Sequence, residues 1–483
     1  MNKINFNSFK LSNEVINAIS KLGYEKPTEV QQKVIPYVLN DQDVIVKSQT
    51  GSGKTGSFAI PLCEKIKLEQ REPQVLIITP TRELAVQIKE DVGNIGRYKR
   101  IRCAAIYGRQ PIRIQESELK QRTHIIVGTP GRLIDHIERE NINLSKIEYL
   151  VIDEADEMLN KGFIDQVEKI INSLNKQRVT MLFSATMPEK IEEICTKHMV
   201  NPIKIDIKSE KPTTEKIEQY CYEVDEEKKF NLLNQIIYTN SIDSCIIFCN
   251  TRDKVEDVEY QMKRKNYYCI GLHGGMEQKE RLETIKRFKN GEFHFLIATD
   301  VAARGIHIDD ISHVINYDVP FEKESYVHRI GRTGRVDKEG VAITFVSDIE
   351  KRYLNEIQGY INYKIPKKQH LTDEQVNKAK AEFDNCIKAK PKRKKNKADK
   401  INKEITKIRL NAGKDKKMRP GDIAGAVNSI KGINAEDVGI IDVQATCSYV
   451  EILNDKGEIV IQGLKHTKVK GRNVNIKVVK ATV

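Results

Sequence analysis

Two short stretches carry residue types that, at their spacing, can handle phosphate. The first, Ser48-Gln49-Thr50-Gly51-Ser52-Gly53-Lys54-Thr55, ends in two glycines, a lysine and a hydroxyl. Glycines let backbone N–H groups approach phosphate oxygens, Lys54 can reach the outer phosphates, and Thr55 can ligate Mg²⁺. The general pattern expects glycine where Ser48 stands, so the match departs at one position. The second stretch, Asp153-Glu154-Ala155-Asp156, follows the apolar run Tyr149-Leu150-Val151-Ile152. One acid there can hold Mg²⁺ and a second can orient or activate water. Taken alone, these acids would equally suit the first turn of a helix.

The elements needed to position them follow from the hydrophobic pattern. Strand-like runs at 43–47, 75–79, 103–107, 124–127, 149–152 and 179–183 alternate with helix-period segments, which predicts βαβ repetition and a mostly parallel sheet over 1–205. The phosphate loop follows the first run and the acids follow the fifth, at strand carboxyl ends where open α/β sheets bind ligands. A charged connection at 206–215 contains Pro212. The same rhythm resumes in 216–365, with runs at 244–249, 268–272, 293–298 and 313–317 but no second phosphate loop. A basic linker is expected over 366–403, and 404–483 reads βαββαβ: strand 406–410, helix 422–430, strands 440–444 and 449–453, a helical piece at 456–464, and strand 473–479.

Charge locates the polyanion-facing part. Residues 366–483 hold 27 Lys plus Arg against 14 acids, whereas the first 365 residues hold 54 of each. The whole excess of +13 therefore lies in the last quarter, a neutral body with a basic appendage. No apolar run approaches the length of a membrane span, and Met1-Asn2-Lys3-Ile4-Asn5-Phe6 lacks a secretory pattern. The nine cysteines are scattered; Cys245 and Cys249, the one close pair, flank a strand, so buried thiols in a reducing cytoplasm are expected rather than zinc.

Gly-Lys-Thr, Asp-Glu-Ala-Asp and Ser184-Ala185-Thr186, in that order, resemble the DEAD-box RNA helicases. Pro80-Thr81-Arg82-Glu83-Leu84 and Thr129-Pro130-Gly131-Arg132 continue the resemblance, as does the segment from Gly23 to Gln31. It implies tandem RecA-like domains, ATP and Mg²⁺ as cofactors, Thr55 and Asp153 on the metal, and Lys54, Asp153 and Glu154 in catalysis. Nucleotide binding would involve Ser48, Thr50, Gly51, Ser52 and Gly53. The Gln31 amide, able to donate and accept, would read adenine, and Phe6 would stack on the base. Arg82, Thr129 and Arg132 would grip RNA, while Asp156, Ser184, Thr186 and Arg304 would couple ATP to RNA. Where relatives often show a Gly-Gly pair, this chain has Gly108-Arg109.

In the second domain His328-Arg329-Ile330-Gly331-Arg332-Thr333-Gly334-Arg335 matches the same family. By resemblance Arg332 and Arg335 are arginine fingers, with His328 beside them in the catalytic set, since planar guanidinium groups offset charge developing on the γ-phosphate. Gln278, Arg281 and Thr299 would contact RNA. Gly305 is followed two residues on by His307 where the family has an aspartate on the ATP ribose.

The tail, from Asn411 to Ile423 in particular, resembles the C-terminal domain of the DbpA/YxiN type of DEAD-box helicase, a small α+β fold like an RNA-recognition motif. Stacking aromatics are sparse, with only Tyr449 at a consensus position, so RNA contact is expected from Lys414, Lys416, Lys417 and Arg419 and from Lys468, Lys470 and Arg472. The resemblance implies a monomer that unwinds short RNA duplexes. Its tail would target a large-subunit (23S) ribosomal RNA hairpin within a pre-ribosomal particle, in assembly of the 50S subunit. Two other classes remain at this point: an ATP-gated RNA clamp without productive unwinding, and a DNA translocase. Glu154 beside a full set of arginines argues against the first, and Gln31 with an RNA-type tail against the second.

Overall fold

The computed structural model describes residues 5–48, 51–207, 217–240, 242, 244–303, 308, 311–334, 340–386, 391 and 399–479. The chain forms two compact units, the first holding the N-terminal sheet domain and 396–483, the second 208–395. Among the described residues no helix is long and apolar enough to cross a membrane.

In the first unit, β1 (Val44–Lys47), β2 (Val75–Ile78), β3 (Cys103–Ile106), β4 (Ile125–Gly128), β5 (Tyr149–Ile152), β6 (Val179–Ser184) and β7 (Ile203–Asp206) form a parallel sheet ordered β3-β4-β2-β5-β6-β1-β7. Its central strands are buried on both faces, which is why they read as unbroken apolar runs rather than alternations. Val75, Ile77 and Val151 point into one core, and Leu76, Ile78, Leu150 and Ile152 into the other. β5, β6 and β1 lie side by side, so the acids, Ser184 and the phosphate loop leave adjacent strand ends. The edge strand β7 falls beside the charged connection and was not legible as an apolar run.

The second unit orders β8 (Ile217–Glu223), β9 (Cys245–Phe248), β10 (Cys269–Leu272), β11 (Phe295–Ala298), β12 (His313–Asn316) and β13 (Gly340–Val346) as β10-β11-β9-β12-β13-β8, again parallel. Segment 366–403, expected as a linker, contains helices Asp373–Cys386 and Asp399–Lys403. Ile401 of the latter is fully buried in the core of the N-terminal domain, which fixes the start of the tail domain instead of leaving it on a free tether. That domain is the expected βαββαβ fold: β14 (Thr406–Leu410), helix Pro420–Asn428, β15 (Val438–Val443), β16 (Ser448–Ile452), helix Gly457–His466 and β17 (Ile476–Val479), with an antiparallel sheet ordered β15-β16-β14-β17.

A polar knot holds the second unit together. Arg329 is 1 % exposed and pairs with Asp300 through two hydrogen bonds, Nε to Oδ1 at 2.5 Å and Nη2 to Oδ2 at 2.7 Å. It also donates to the Asp318 carbonyl at 2.7 Å and to Asn250 Oδ1 at 2.8 Å, and its guanidinium lies over the Phe248 ring. Asp318 in turn receives buried Lys229, 3.1 Å away, which also meets Glu350 and Glu226. Burial alone would lower the Lys229 pKa, but the three acids hold it above the ordinary lysine value. Removing one member leaves buried charge unmatched, and lysine cannot reproduce the planar fork of arginine. Arg329→Lys is therefore expected to destabilise this unit by about 3 kcal/mol, read as an earlier denaturant midpoint. A variant as stable as the parent would show that the knot carries no stability.

Candidate functional site

The phosphate loop turns into helix Lys54–Lys65 at Gly53, whose φ of +92° is open to glycine and strained for other residues. Lys54 is buried and its Nζ donates to the Ser48 carbonyl at 3.3 Å; Ser52 Oγ donates to Ser48 Oγ at 3.3 Å, and Thr55 sits half-buried on the first helical turn. Gln31 stands against this loop. Its Oε1 accepts from the Thr28 N–H at 3.0 Å and its Nε2 donates to the Gly53 carbonyl at 3.2 Å, so the amide expected to read adenine is tied to the phosphate loop itself. A Cβ at Gly56 would come within 2.6 Å of that Nε2, which explains glycine there. Phe6 is packed into the core, edge-on to Phe9 and to Tyr24 with ring centroids 6.2 and 6.0 Å apart; this places it beside the adenine segment but without an open ring face.

Asp153 and Glu154, both buried, close β5. Asp153 Oδ1 accepts the Glu154 N–H at 3.0 Å, and Glu154 adopts the left-handed backbone (φ +54°), a strained conformation of the kind that collects at functional sites. Asp156 is committed to the neighbouring loop. Its Oδ2 accepts from the N–H groups of Ala185 at 3.2 Å and Thr186 at 2.9 Å and from Thr186 Oγ1 at 3.1 Å, while its own N–H donates to Ser184 Oγ at 3.2 Å. Ser184 also bonds back to the phosphate loop, its carbonyl accepting the Ser48 N–H at 3.0 Å. Lys54, Ser48, Ser184 and Asp156 thus form one hydrogen-bonded path across three neighbouring strand ends.

At the ends of β2, β3 and β4 the expected RNA residues converge. Arg82 opens helix Arg82–Ile95 with its guanidinium against Gly108, where a Cβ would lie 3.3 Å from Nη2. Thr129 immediately precedes helix Pro130–Glu138, and Arg132 Nη1 donates to the Gln110 carbonyl at 2.8 Å. Arg109, which replaces a glycine of the usual pattern, has φ +62°; the turn keeps the glycine-type conformation and tolerates the arginine in it.

In the second unit Gln278, Arg281 and Thr299 are buried near the ends of β10 and β11, with Arg281 Nη2 3.5 Å from the Ala302 carbonyl. His328 lies on helix Lys323–Ile330 and Arg332 follows it, its N–H donating to the Arg329 carbonyl at 3.2 Å. Thr50, Arg304, His307 and Arg335 lie outside the described residues. Sequence reasoning overlooked Arg329 itself. The signal was its position three residues after the buried Tyr326, on the inward face of the helix, whereas attention went to the glycine-flanked arginines.

On the tail domain a basic cluster assembles at one end. Lys470 Nζ donates to the Lys417 carbonyl at 2.6 Å and to Asp422 Oδ2 at 3.1 Å, and Asp422 caps the Arg419 N–H at 2.9 Å. The Lys470 hydrogen bond holds the Asp422 carboxyl below its ordinary pKa. Lys414 and Lys416 flank the same turn, which is pinned to the β15–β16 hairpin by Lys414 N–H to Gln444 O at 2.8 Å, while Lys468 and Arg472 are exposed on either side of Lys470. Tyr449 lies elsewhere, half-buried on the outer sheet face with Lys407 Nζ 5.3 Å from its ring centroid.

Comparison with known proteins agrees with this geometry. Residues 28–194 match the DEAD/DEAH box helicase family, 228–337 the helicase conserved C-terminal domain, and 407–478 the DbpA RNA binding domain. The chain is 50% identical over 471 residues to the ATP-dependent RNA helicase DbpA of Bacillus subtilis, covering 98% of each. It is 44% identical to the DEAD-box ATP-dependent RNA helicase CshA of the same organism, over 74% of this chain and 72% of that one. Among solved structures, S. cerevisiae Dbp5 bound to RNA and ADP BeF3 superimposes with a TM-score of 0.65 at 31% identity, covering 78% of this chain and 99% of that one. Mss116p bound to ssRNA and AMP-PNP gives 0.68 at 30% identity, over 78% and 82%. With two parallel-sheet domains, an ATP loop wired to the Asp-Glu-Ala-Asp acids and a matching tail domain, the chain belongs to the DEAD-box ATP-dependent RNA helicases of the DbpA type.

Proposed function

We propose that this helicase separates short RNA duplexes locally, anchored by its tail domain to a hairpin of 23S ribosomal RNA while the 50S subunit is assembled in the cytoplasm. The observation that carries the unwinding part is the path Lys54–Ser48–Ser184–Asp156, because it joins the phosphate-binding lysine to the loop expected to report on RNA. The anchoring part is supported by the exposed basic cluster of Lys414, Lys416, Lys417, Arg419, Lys468, Lys470 and Arg472 and by the match to the DbpA RNA binding domain. The relative named DbpA aligns with this chain over 98% of its own length at 50% identity.

In the proposed cycle backbone N–H groups of 51–53 and Lys54 hold the phosphates. Buried Asp153 and the Thr55 hydroxyl would supply an all-oxygen donor set that suits Mg²⁺, which when bound would neutralise charge on the phosphates. Glu154 orients the attacking water and accepts its proton. Arg332 and Arg335, with His328 beside them, offset charge developing on the γ-phosphate. Arg82, Thr129 and Arg132, with Gln278, Arg281 and Thr299, grip the backbone of a single strand, and Asp156, Thr186 and Arg304 relay its presence to the nucleotide. The protein acts as a monomer.

Glu154→Gln is expected to lower kcat for ATP by on the order of 10²-fold while ATP still binds, measured by steady-state hydrolysis and nucleotide titration. Stimulation of the parent ATPase by DNA equal to that by ribosomal RNA would overturn the RNA assignment, and hydrolysis without strand separation would favour an ATP-gated clamp. Deleting 404–483 is expected to spare basal turnover and abolish preference for the ribosomal hairpin over an unrelated one; surviving preference would place selectivity in the sheet domains. His307 stands where the family holds the ribose with aspartate, so the Michaelis constant for ATP is expected to change between mildly acid and neutral pH. His307→Asp should flatten that profile, and an unchanged profile would remove His307 from the ribose site.

A further inference from the structure

The tail domain presents two chemically different faces. The basic cluster occupies one end. The outer face of its sheet, where an RNA-recognition motif ordinarily stacks bases, is mixed in charge: Glu451 and Asp442 lie on either side of Tyr449, because residues two apart on a strand share a face and Asp442 pairs with Tyr449 across β15–β16, while Lys407 and Arg409 of β14 and Lys477 of β17 lie across from them on the same face. Both carboxylates meet arginines of the N-terminal domain. Helix Arg82–Ile95 of the N-terminal domain ends in a basic turn, and Arg97 Nη2 lies 3.1 Å from Glu451 Oε1 while Arg102 Nη2 lies 3.6 Å from Asp442 Oδ1. Arg102 Nη2 also donates to the Ile441 carbonyl at 2.8 Å, on the exposed edge of β15, and Arg100 donates to the Ala435 carbonyl just before that strand. An open strand edge is a pairing liability, and two guanidinium groups cover this one.

A second anchor lies at the entrance to the domain. Ile401 is wholly buried among the apolar side chains of the N-terminal domain, Ile405 packs beside it, and Lys21 pairs with Glu404. Glu451 is well shielded, 8 % exposed, and Asp442 is half-buried. Yet Arg97 Nε, Asp442 Oδ1 and Glu451 Oε2 are buried without a hydrogen-bond partner, so the polar match is incomplete, and contacts between domains of one chain are by default able to separate unless large and apolar.

We propose that the outer sheet face of the tail domain, through Glu451, Asp442 and the β15 edge, is a docking surface for the basic turn Arg97–Arg102 of the ATP-binding domain, forming a releasable latch, and is not a base-stacking platform. RNA is then left to the basic end. The latch stands independently of which RNA that end recognises, and its test needs no RNA.

Cysteines introduced by Arg100→Cys and Ala435→Cys in the full chain are joined with a short bismaleimide, and the shifted band is quantified. Arg100→Cys with Lys465→Cys, on the helix behind the sheet, serves as the control pair. The first pair is expected to crosslink at least fivefold more than the control; a yield no higher than the control overturns the proposal. In the first pair's background Glu451→Arg is expected to cut the yield severalfold, and adding Arg97→Glu to restore it to within twofold. An unchanged yield on charge reversal, or a swapped pair that stays at the single-variant level, also overturns it.

Discussion

Burial of both faces of a parallel sheet is the constraint on which this molecule depends. A strand with helices above and below can carry no polar side chain along its length without desolvation cost, so polar chemistry collects where strands end. In the N-terminal domain three adjacent strands end in three different motifs, and the spacing of a hydrogen-bonded sheet brings them within reach of one another. The Ser48 N–H, the Ser184 carbonyl and hydroxyl, and the Asp156 backbone are polar groups at these exits, and they satisfy one another. The wiring between lysine and acid is thus a by-product of how backbone groups must be paired when they are buried.

The same reasoning gives Asp156 its place. With three donors from the Ala185–Thr186 segment on one oxygen, its carboxylate is committed to the neighbouring loop, whereas Asp153 and Glu154 stand at the strand end proper. Four consecutive residues therefore serve two destinations, and the turn of the chain at Glu154, with its positive φ, separates them. A residue in that conformation is costly unless its surroundings hold it, and here the following helix and the Asp153 side chain both do.

Legibility in the sequence divided along physical lines. Fully buried strands such as β2 and β5 were readable because burial on two faces demands apolar residues at every position. β7, β8 and β13 were missed, two of them at sheet edges beside charged or glycine-rich segments where the apolar signal is diluted. Motif residues whose chemistry needs particular atoms, such as Lys54 and Asp153, stood out by type and spacing. Arg329 did not, because a buried arginine is informative only once its partners Asp300, Asp318 and Asn250, distant in sequence, are seen around it. Ile401 was invisible for the same reason: a lone apolar residue beside a lysine-rich run looks like linker until the core it fills is known.

The Arg329 knot also has a mechanical meaning. Asp300 opens the short helix that directly follows Thr299, and Arg329 sits three residues before Arg332. A two-pronged guanidinium–carboxylate pair resists both stretching and twisting, so the segment expected to feel RNA and the segment expected to feel phosphate share one rigid strut. Displacement of either is transmitted to the other without loss in a soft loop. The Thr299 and Arg332 segments of the second unit are therefore held as one lever with a single fulcrum, and not as two independently adjustable jaws.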